Sequence, residues 1–153
     1  MRNSKRSNDT LQKLEKLALE DQGATNKFFV TIGFNHQTFN AKLAMTSVNA
    51  IFRKSFVLSA EGVFEFYREN GEHPHIHIIM EVPKMRAGML VTKIFQSAGM
   101  SKVVLSRNFI DVKPCEEYHY GYIEGDKIEE KKEFCAKDKV WREQNMIPHK
   151  IKK

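Results

Sequence analysis

Apolar residues along the chain switch several times between strand-like and helix-like spacing. Residues 28–34 are almost continuously apolar and predict a central strand. Residues 63–68 alternate apolar and polar positions and predict a second strand. The Asn70-Gly71 dipeptide that follows is typical of a hairpin turn. Residues 72–81 predict a third strand because β-branched side chains alternate along them. Apolar positions at helical spacing predict helices over about 9–20, 38–56, 86–98 and 128–145.

One or two further strands are predicted over 103–112, and Pro114 is expected to open a helix that runs to about Gly125. The order is a helix followed by β-α-β-β-α-β-α-α. This order is typical of the α+β, ferredoxin-like split βαβ plan, a central antiparallel sheet with helices packed on one face. We expect one domain over residues 1–153, with an N-terminal helix at about 9–20, a core at about 26–125 and a C-terminal helix at about 128–145.

The third predicted strand holds three of the six histidines of the chain, His73, His75 and His77. Side chains at i, i+2 and i+4 of a strand point to one face, so these imidazoles project together. Ile76 and Ile78 point to the other face and into a core. Aligned imidazoles on a rigid strand indicate a metal site or a phosphate-handling site.

The predicted hairpin brings a carboxylate to the histidines. If Phe64 and Phe66 lie in the core, Glu65 shares the polar face with His75 and His77. Two imidazoles and a carboxylate can bind a divalent cation and leave coordination positions open, as catalytic sites do. A register shift of one residue would instead make Glu65 a solvated strand residue. Glu81 is a reserve carboxylate, and His73, at the mouth of the strand, is expected to be peripheral or to contact DNA.

A tyrosine pair follows downstream. Tyr118 and Tyr122 are four residues apart, so both hydroxyls emerge on one face of the predicted helix. A tyrosine near a metal-bound phosphate can attack phosphorus and form a covalent phosphotyrosine. Lys127 or Lys131 could stabilise the phenolate. The alternative is that the two rings are packing residues.

Composition narrows the class of protein. The net charge of +6 favours a polyanionic partner such as nucleic acid. No apolar run approaches the length that spans a bilayer, so no membrane partner is expected. Two cysteines without metal-type spacing, and an N-terminus without a secretory signal, fit an intracellular setting.

Three stretches resemble the motifs of the HUH endonucleases, the rolling-circle replication initiators (Rep proteins) of small circular single-stranded DNA viruses and plasmids. The apolar strand at 28–32 looks like the first motif, His75-Ile76-His77 like the second and Tyr122-Ile123-Glu124-Gly125 like the third. The second is fairly specific. The third departs from the family, which usually has lysine three residues after the tyrosine; here that place is Gly125, and Lys127 is the nearest substitute.

The resemblance implies a site-specific single-stranded DNA endonuclease and strand-transferase, a nucleotidyltransferase that starts rolling-circle replication. His75, His77 and Glu65 would hold Mg²⁺ or Mn²⁺. Tyr122 would nick a replication origin, a stem-loop, leaving a 5′-phosphotyrosine and a free 3′-hydroxyl. Tyr118 is a rival nucleophile, and a mechanism that uses both stays open. A helicase domain and host replication proteins are expected partners, in a host nucleus for a eukaryotic virus or in cytoplasm for a bacterial plasmid.

Eight cations and three aromatic rings are candidate DNA contacts: Arg53, Lys54, Arg68, Lys84, Arg86, Lys102, Arg107 and Lys113, with Phe34, Tyr67 and Phe109 for base stacking. Two other functions fit parts of the pattern. The run from His73 to Ile79 also resembles the histidine-triad nucleotide hydrolases, in which the middle histidine, here His75, would be the nucleophile without a metal. A non-enzymatic ferredoxin-like module that binds nucleic acid is the third hypothesis.

Overall fold

The computed structural model describes residues 23–68, 71–98, 109–124 and 132–153. The helix predicted at 9–20 and the candidate Lys127 lie outside these residues. The described strands are β1 (Thr25–Gly33), β2 (Ser59–Arg68), β3 (Gly71–Pro83), β4 (Ile110–Pro114) and β5 (Ile151–Lys152). The described helices are α1 (Ala41–Phe52), α2 (Ala87–Ser97), α3 (His119–Glu124) and α4 (Lys132–Gln144).

The strands form one antiparallel sheet in the order β4-β1-β3-β2-β5. The α1 crossover carries the chain from β1 to β2 and leaves the slot between them for β3. This arrangement is the split βαβ plan, so the predicted α+β, ferredoxin-like fold is confirmed. The short edge strand β5 was not predicted, because two residues carry no periodicity.

The main core lies between the sheet and the helices α1 and α2. Val30, Ile76 and Ile78 of the central strands are fully buried on this face. Val48 of α1 and Ile94 of α2 meet them from the helices. Burial of each such side chain contributes roughly 1.5–3 kcal/mol. This packing fixes which face of β3 the isoleucines occupy, and so sends the histidines to the other face.

The short helix α3 lies on the opposite face of the sheet. Its Ile123 is 1% exposed and forms a small second cluster with Phe29, Val63 and Ile79. The prediction that Pro114 opens this helix is wrong: Pro114 is the last residue of β4, and α3 begins at His119. The tyrosine segment is thereby placed on the sheet face that carries the histidines. None of the helices in the described part of the chain is long and apolar enough to cross a membrane.

Candidate metal centre and its cleft

Strand pairing brings Glu65, His75 and His77 together. Glu65 of β2 lies directly across from His75 of β3, and Thr31 of β1 lies across from His77. Each of the three side chains Glu65, His75 and His77 offers one candidate ligand atom, and these atoms all lie within 4.8 Å of one another. The carboxylate and the two imidazoles therefore lie together as predicted, and the group could hold a metal ion.

Hydrogen bonds from the far side of each ring set its orientation. The Nδ1–H group of His75 donates to the carbonyl oxygen of His73 over 2.6 Å, since a carbonyl can only accept. Nδ1 of His77 lies 2.9 Å from the Thr31 hydroxyl oxygen. Both Nε2 atoms consequently face the same oxygen, Oε2 of Glu65, at 3.2 Å each. Such outer partners fix the tautomer and orientation of metal-binding histidines.

Burial makes this arrangement suited to a cation. His75 is 1% exposed and Glu65 is 4% exposed. Burial lowers the pKa of His75, although Glu65 opposes this shift, so the neutral imidazole is favoured. With its proton on Nδ1, neutral His75 directs the Nε2 lone pair at a carboxylate oxygen. Two acceptors that face each other repel, and a divalent cation coordinated by both would relieve the repulsion. Two imidazole nitrogens and one carboxylate oxygen form a donor set that suits such a cation.

A cleft of about 490 Å³ opens in front of the cluster. His77, whose side chain is 13% exposed, is the member of the cluster that lines it. The other lining residues are Phe29, Thr31, Gly33, Arg68, His73, Phe109, Asp111, Lys113, Tyr118, His119 and Tyr122. Both candidate tyrosines therefore share one cavity with the candidate metal centre.

The two tyrosines differ in position. The half-buried ring of Tyr122 meets His77 edge-on, with 5.9 Å between ring centroids, and lies 5.9 Å from Phe29. Tyr118 precedes α3 and is 64% exposed. Its ring lies against His119 at 4.2 Å and against Tyr122 at 6.5 Å. Tyr122 thus makes direct contact with a candidate ligand, while Tyr118 occupies the outer part of the cleft.

Sequence reasoning did not single out His119, which the structure buries in the wall of the cleft at 2% exposure. Its ring stacks on Phe29 with 4.0 Å between centroids and 6° between planes. Nδ1 accepts from the Glu116 N–H group over 2.8 Å, and burial, then the Lys113 charge, lowers the pKa of His119. His119 is therefore neutral, with its proton on Nε2. The sequence does contain a signal for this burial: His119 lies four residues before the apolar Ile123, so both side chains lie on the same side of one helix.

The remaining residues that the sequence suggested for metal or DNA binding lie in the cleft, in the core or on the surface. His73 lies outside the metal cluster, and its ring is nearly parallel to Phe109, at 16° and 6.3 Å between centroids. Arg68 and Lys113 line the cleft. Phe34, one of the three candidate rings for base stacking, is fully buried in the core, so this candidate is wrong. The reserve carboxylate Glu81 pairs instead with Lys27 at 3.9 Å. Lys102 and Arg107 lie outside the described residues.

No family model, curated protein or solved structure matches the chain.

Proposed function

We propose that the protein is a metal-dependent enzyme that nicks and rejoins single-stranded DNA through a covalent phosphotyrosine. One observation carries this proposal: Tyr122 packs against His77, a member of the buried Glu65–His75–His77 group, at the edge of one cleft. A nucleophile, a cation site and a cavity for substrate are the parts that phosphoryl transfer to tyrosine requires. We propose Mg²⁺ or Mn²⁺ as the cation and a replication origin as the target.

The proposed reaction exchanges one phosphodiester for another. The phenolate oxygen of Tyr122 attacks phosphorus, the bond from phosphorus to the 3′-oxygen breaks, and that oxygen takes up a proton. The products are a 5′-phosphotyrosine and a free 3′-hydroxyl, and the reverse reaction joins ends. A bound divalent cation would supply positive charge to the non-bridging phosphate oxygens. Glu65, His75 and His77 would hold it, and the ring of Tyr122 is kept beside them by Phe29.

The cleft also offers groups that suit a single strand. Arg68 and Lys113 line it and can bind phosphates. Phe109 is 39% exposed and presents an aromatic face on which a base can stack. These groups lie in the cavity that Tyr122 lines, so a strand bound to them passes the proposed nucleophile.

The rival hydrolase hypothesis requires His75 to attack a phosphate. The burial of its ring, and the Glu65 carboxylate 3.2 Å from its Nε2, argue against that role. The enzyme proposal is tested with a randomised, 3′-end-labelled single-stranded DNA pool, Mn²⁺ and a denaturing gel. We expect a labelled protein adduct that EDTA abolishes. Hydrolysis of a nucleoside phosphoramidate without metal would favour the hydrolase, and DNA binding without either reaction would favour the non-enzymatic module.

Variants of the three neighbouring tyrosines sharpen the same assay. Tyr122→Phe should abolish the adduct, because only the attacking oxygen is removed. Tyr120→Phe is a matched control: its ring is 43% exposed, and its hydroxyl contacts Lys27 at 3.5 Å outside the cleft lining. Loss of the adduct in Tyr118→Phe alone would show that the outer tyrosine is the nucleophile.

A further inference from the structure

We propose that α4 positions Glu65 for metal binding, with Asp138 as the residue through which it acts. Asp138 accepts hydrogen bonds from the backbone of β2 immediately after Glu65. It is therefore a positioning residue. The inference depends on the proposed cation site but not on the nicking reaction.

A β-bulge in β3 lies opposite the residue that follows Glu65. Glu65 pairs with His75 and Tyr67 pairs with Glu72, so two residues of β3, His73 and Pro74, lie opposite the single residue Phe66 of β2. A bulge interrupts the regular ladder, and it can re-aim a neighbouring side chain. Here the N–H groups of Phe66 and Tyr67 both donate to Oδ1 of Asp138, over 2.8 and 2.9 Å. One carboxylate oxygen thus satisfies two backbone donors at the irregular point.

The backbone is also held on the other side of Glu65. Nη1 of Arg142, one turn after Asp138 on α4, donates to the carbonyl oxygen of Phe64 over 2.8 Å. Asp138 is 1% exposed and Arg142 is 7% exposed, so these bonds are shielded from water. The buried side chains of Asp138 and Arg142 therefore form hydrogen bonds with the backbone immediately after and immediately before Glu65.

The hydrogen bonds from Asp138 and Arg142 reach the free edge of β2, where another strand could otherwise pair. Among the described residues, β5 pairs with the outer edge of β2 at Glu61 and Gly62, and α4 covers the edge beyond them. Distances from ligand to metal in real sites lie within about 0.2 Å of their usual values. A backbone segment freed from α4 would carry the Glu65 carboxylate away from the two Nε2 atoms, and the cation would bind more weakly.

The test measures Mn²⁺ affinity of the full chain, from the electron paramagnetic resonance signal of free Mn²⁺. We expect Asp138→Ala to weaken binding roughly tenfold or more, the effect typical of lost outer partners of metal ligands. Asp138→Asn keeps an oxygen that can accept both N–H groups and should rescue most of the affinity. Val48→Ala, in the core on α1, is the control for general destabilisation.

Circular dichroism and thermal unfolding of each variant establish the folded fraction, and affinities are compared at temperatures where all variants are folded. Equal Mn²⁺ affinity of wild type and Asp138→Ala would overturn the positioning role and leave the proposed function intact. An equal loss of affinity in Asp138→Ala and Val48→Ala would also overturn it. Failure of the wild-type chain to bind Mn²⁺ would overturn both the inference and the proposed function.

Discussion

Replacing Glu65 with glutamine should have opposite effects on stability with and without metal. In metal-free protein near pH 8, the Glu65 carboxylate faces two Nε2 atoms at 3.2 Å, and His75 carries its proton on the far nitrogen. The amide of glutamine has nearly the same shape, carries no charge and can donate an N–H group to the Nε2 lone pair of neutral His75. We therefore expect Glu65→Gln to leave metal-free stability unchanged or to raise it.

The magnitude follows from ordinary hydrogen-bond and linkage energies. One net hydrogen bond is worth about 1 kcal/mol, which raises Tm by roughly 2–4 °C in a chain of this size. Metal at 100 times its Kd stabilises wild type by about 2.7 kcal/mol. Removal of a direct ligand should weaken binding by at least ~100-fold, the upper end of the range for outer partners. The variant would then gain only about 0.4 kcal/mol at the same metal concentration.

Thermal unfolding in EDTA and in Mn²⁺ measures both effects. Glu72→Gln is the matched control, since Glu72 is an exposed carboxylate on the adjoining strand β3 that pairs with His36 at 3.9 Å. The reasoning would be refuted if Glu65→Gln kept the full Mn²⁺ shift. It would also be refuted if the metal-free variant lost about 3 kcal/mol or more, because such a loss is typical of breaking a buried ion pair and would mean that His75 is charged.

Three further predictions follow from the same contacts. Thr31→Val removes the hydroxyl beside His77 without changing shape, so Mn²⁺ affinity should fall roughly 10–100-fold while Tm changes by only a few degrees. Burial lowers the pKa of His75 from its usual value near 6.5, so the unfolded state binds more protons below that pH. Urea unfolding in EDTA should show stability rising with pH up to about 6.5 and levelling above it. In Gly33→Ala, the new Cβ would lie 2.9 Å from Cε1 of His73, so single-stranded DNA affinity by fluorescence anisotropy should fall while Mn²⁺ affinity is kept.

Matched variants separate these effects from general damage. Thr46→Val removes a hydroxyl that bonds within α1, and it should leave Mn²⁺ affinity unchanged. Gly88→Ala adds a Cβ that meets nothing within 4 Å, and it should leave DNA affinity unchanged. An Mn²⁺ affinity unaffected by Thr31→Val would contradict the orienting role of that hydroxyl. Stability that stays flat or falls as pH rises to 6.5 would contradict the neutral state assigned to His75.

The cluster could be predicted from sequence because strand geometry is strict. The period of two placed His75 and His77 on one face, and the hairpin placed Glu65 on the same face of the adjoining strand. The apolar partners Phe64 and Ile76 fixed the register by entering the core. Local rules were sufficient here, since the relevant residues are close in sequence and on regular strands.

Features that depend on distant contacts could not be predicted. The N–H group of Phe66, opposite the bulge in β3, donates to Asp138, which is 72 residues further along the chain, and no local sequence pattern predicts that contact. The difference between the tyrosines has a similar cause. Their spacing predicted a shared helix face, but α3 begins at His119, which leaves Tyr118 exposed before it and Tyr122 packed against the sheet.

We propose above all that Tyr122 becomes covalently joined to DNA at the candidate metal centre. The most direct measurement is peptide mapping by mass spectrometry after incubation with single-stranded DNA and Mn²⁺ and digestion with nuclease. We predict a nucleotide 5′-phosphate on Tyr122 that is absent in EDTA and in Glu65→Gln. A modification on another residue, or an unmodified Tyr122 in protein that binds both Mn²⁺ and DNA, would contradict it.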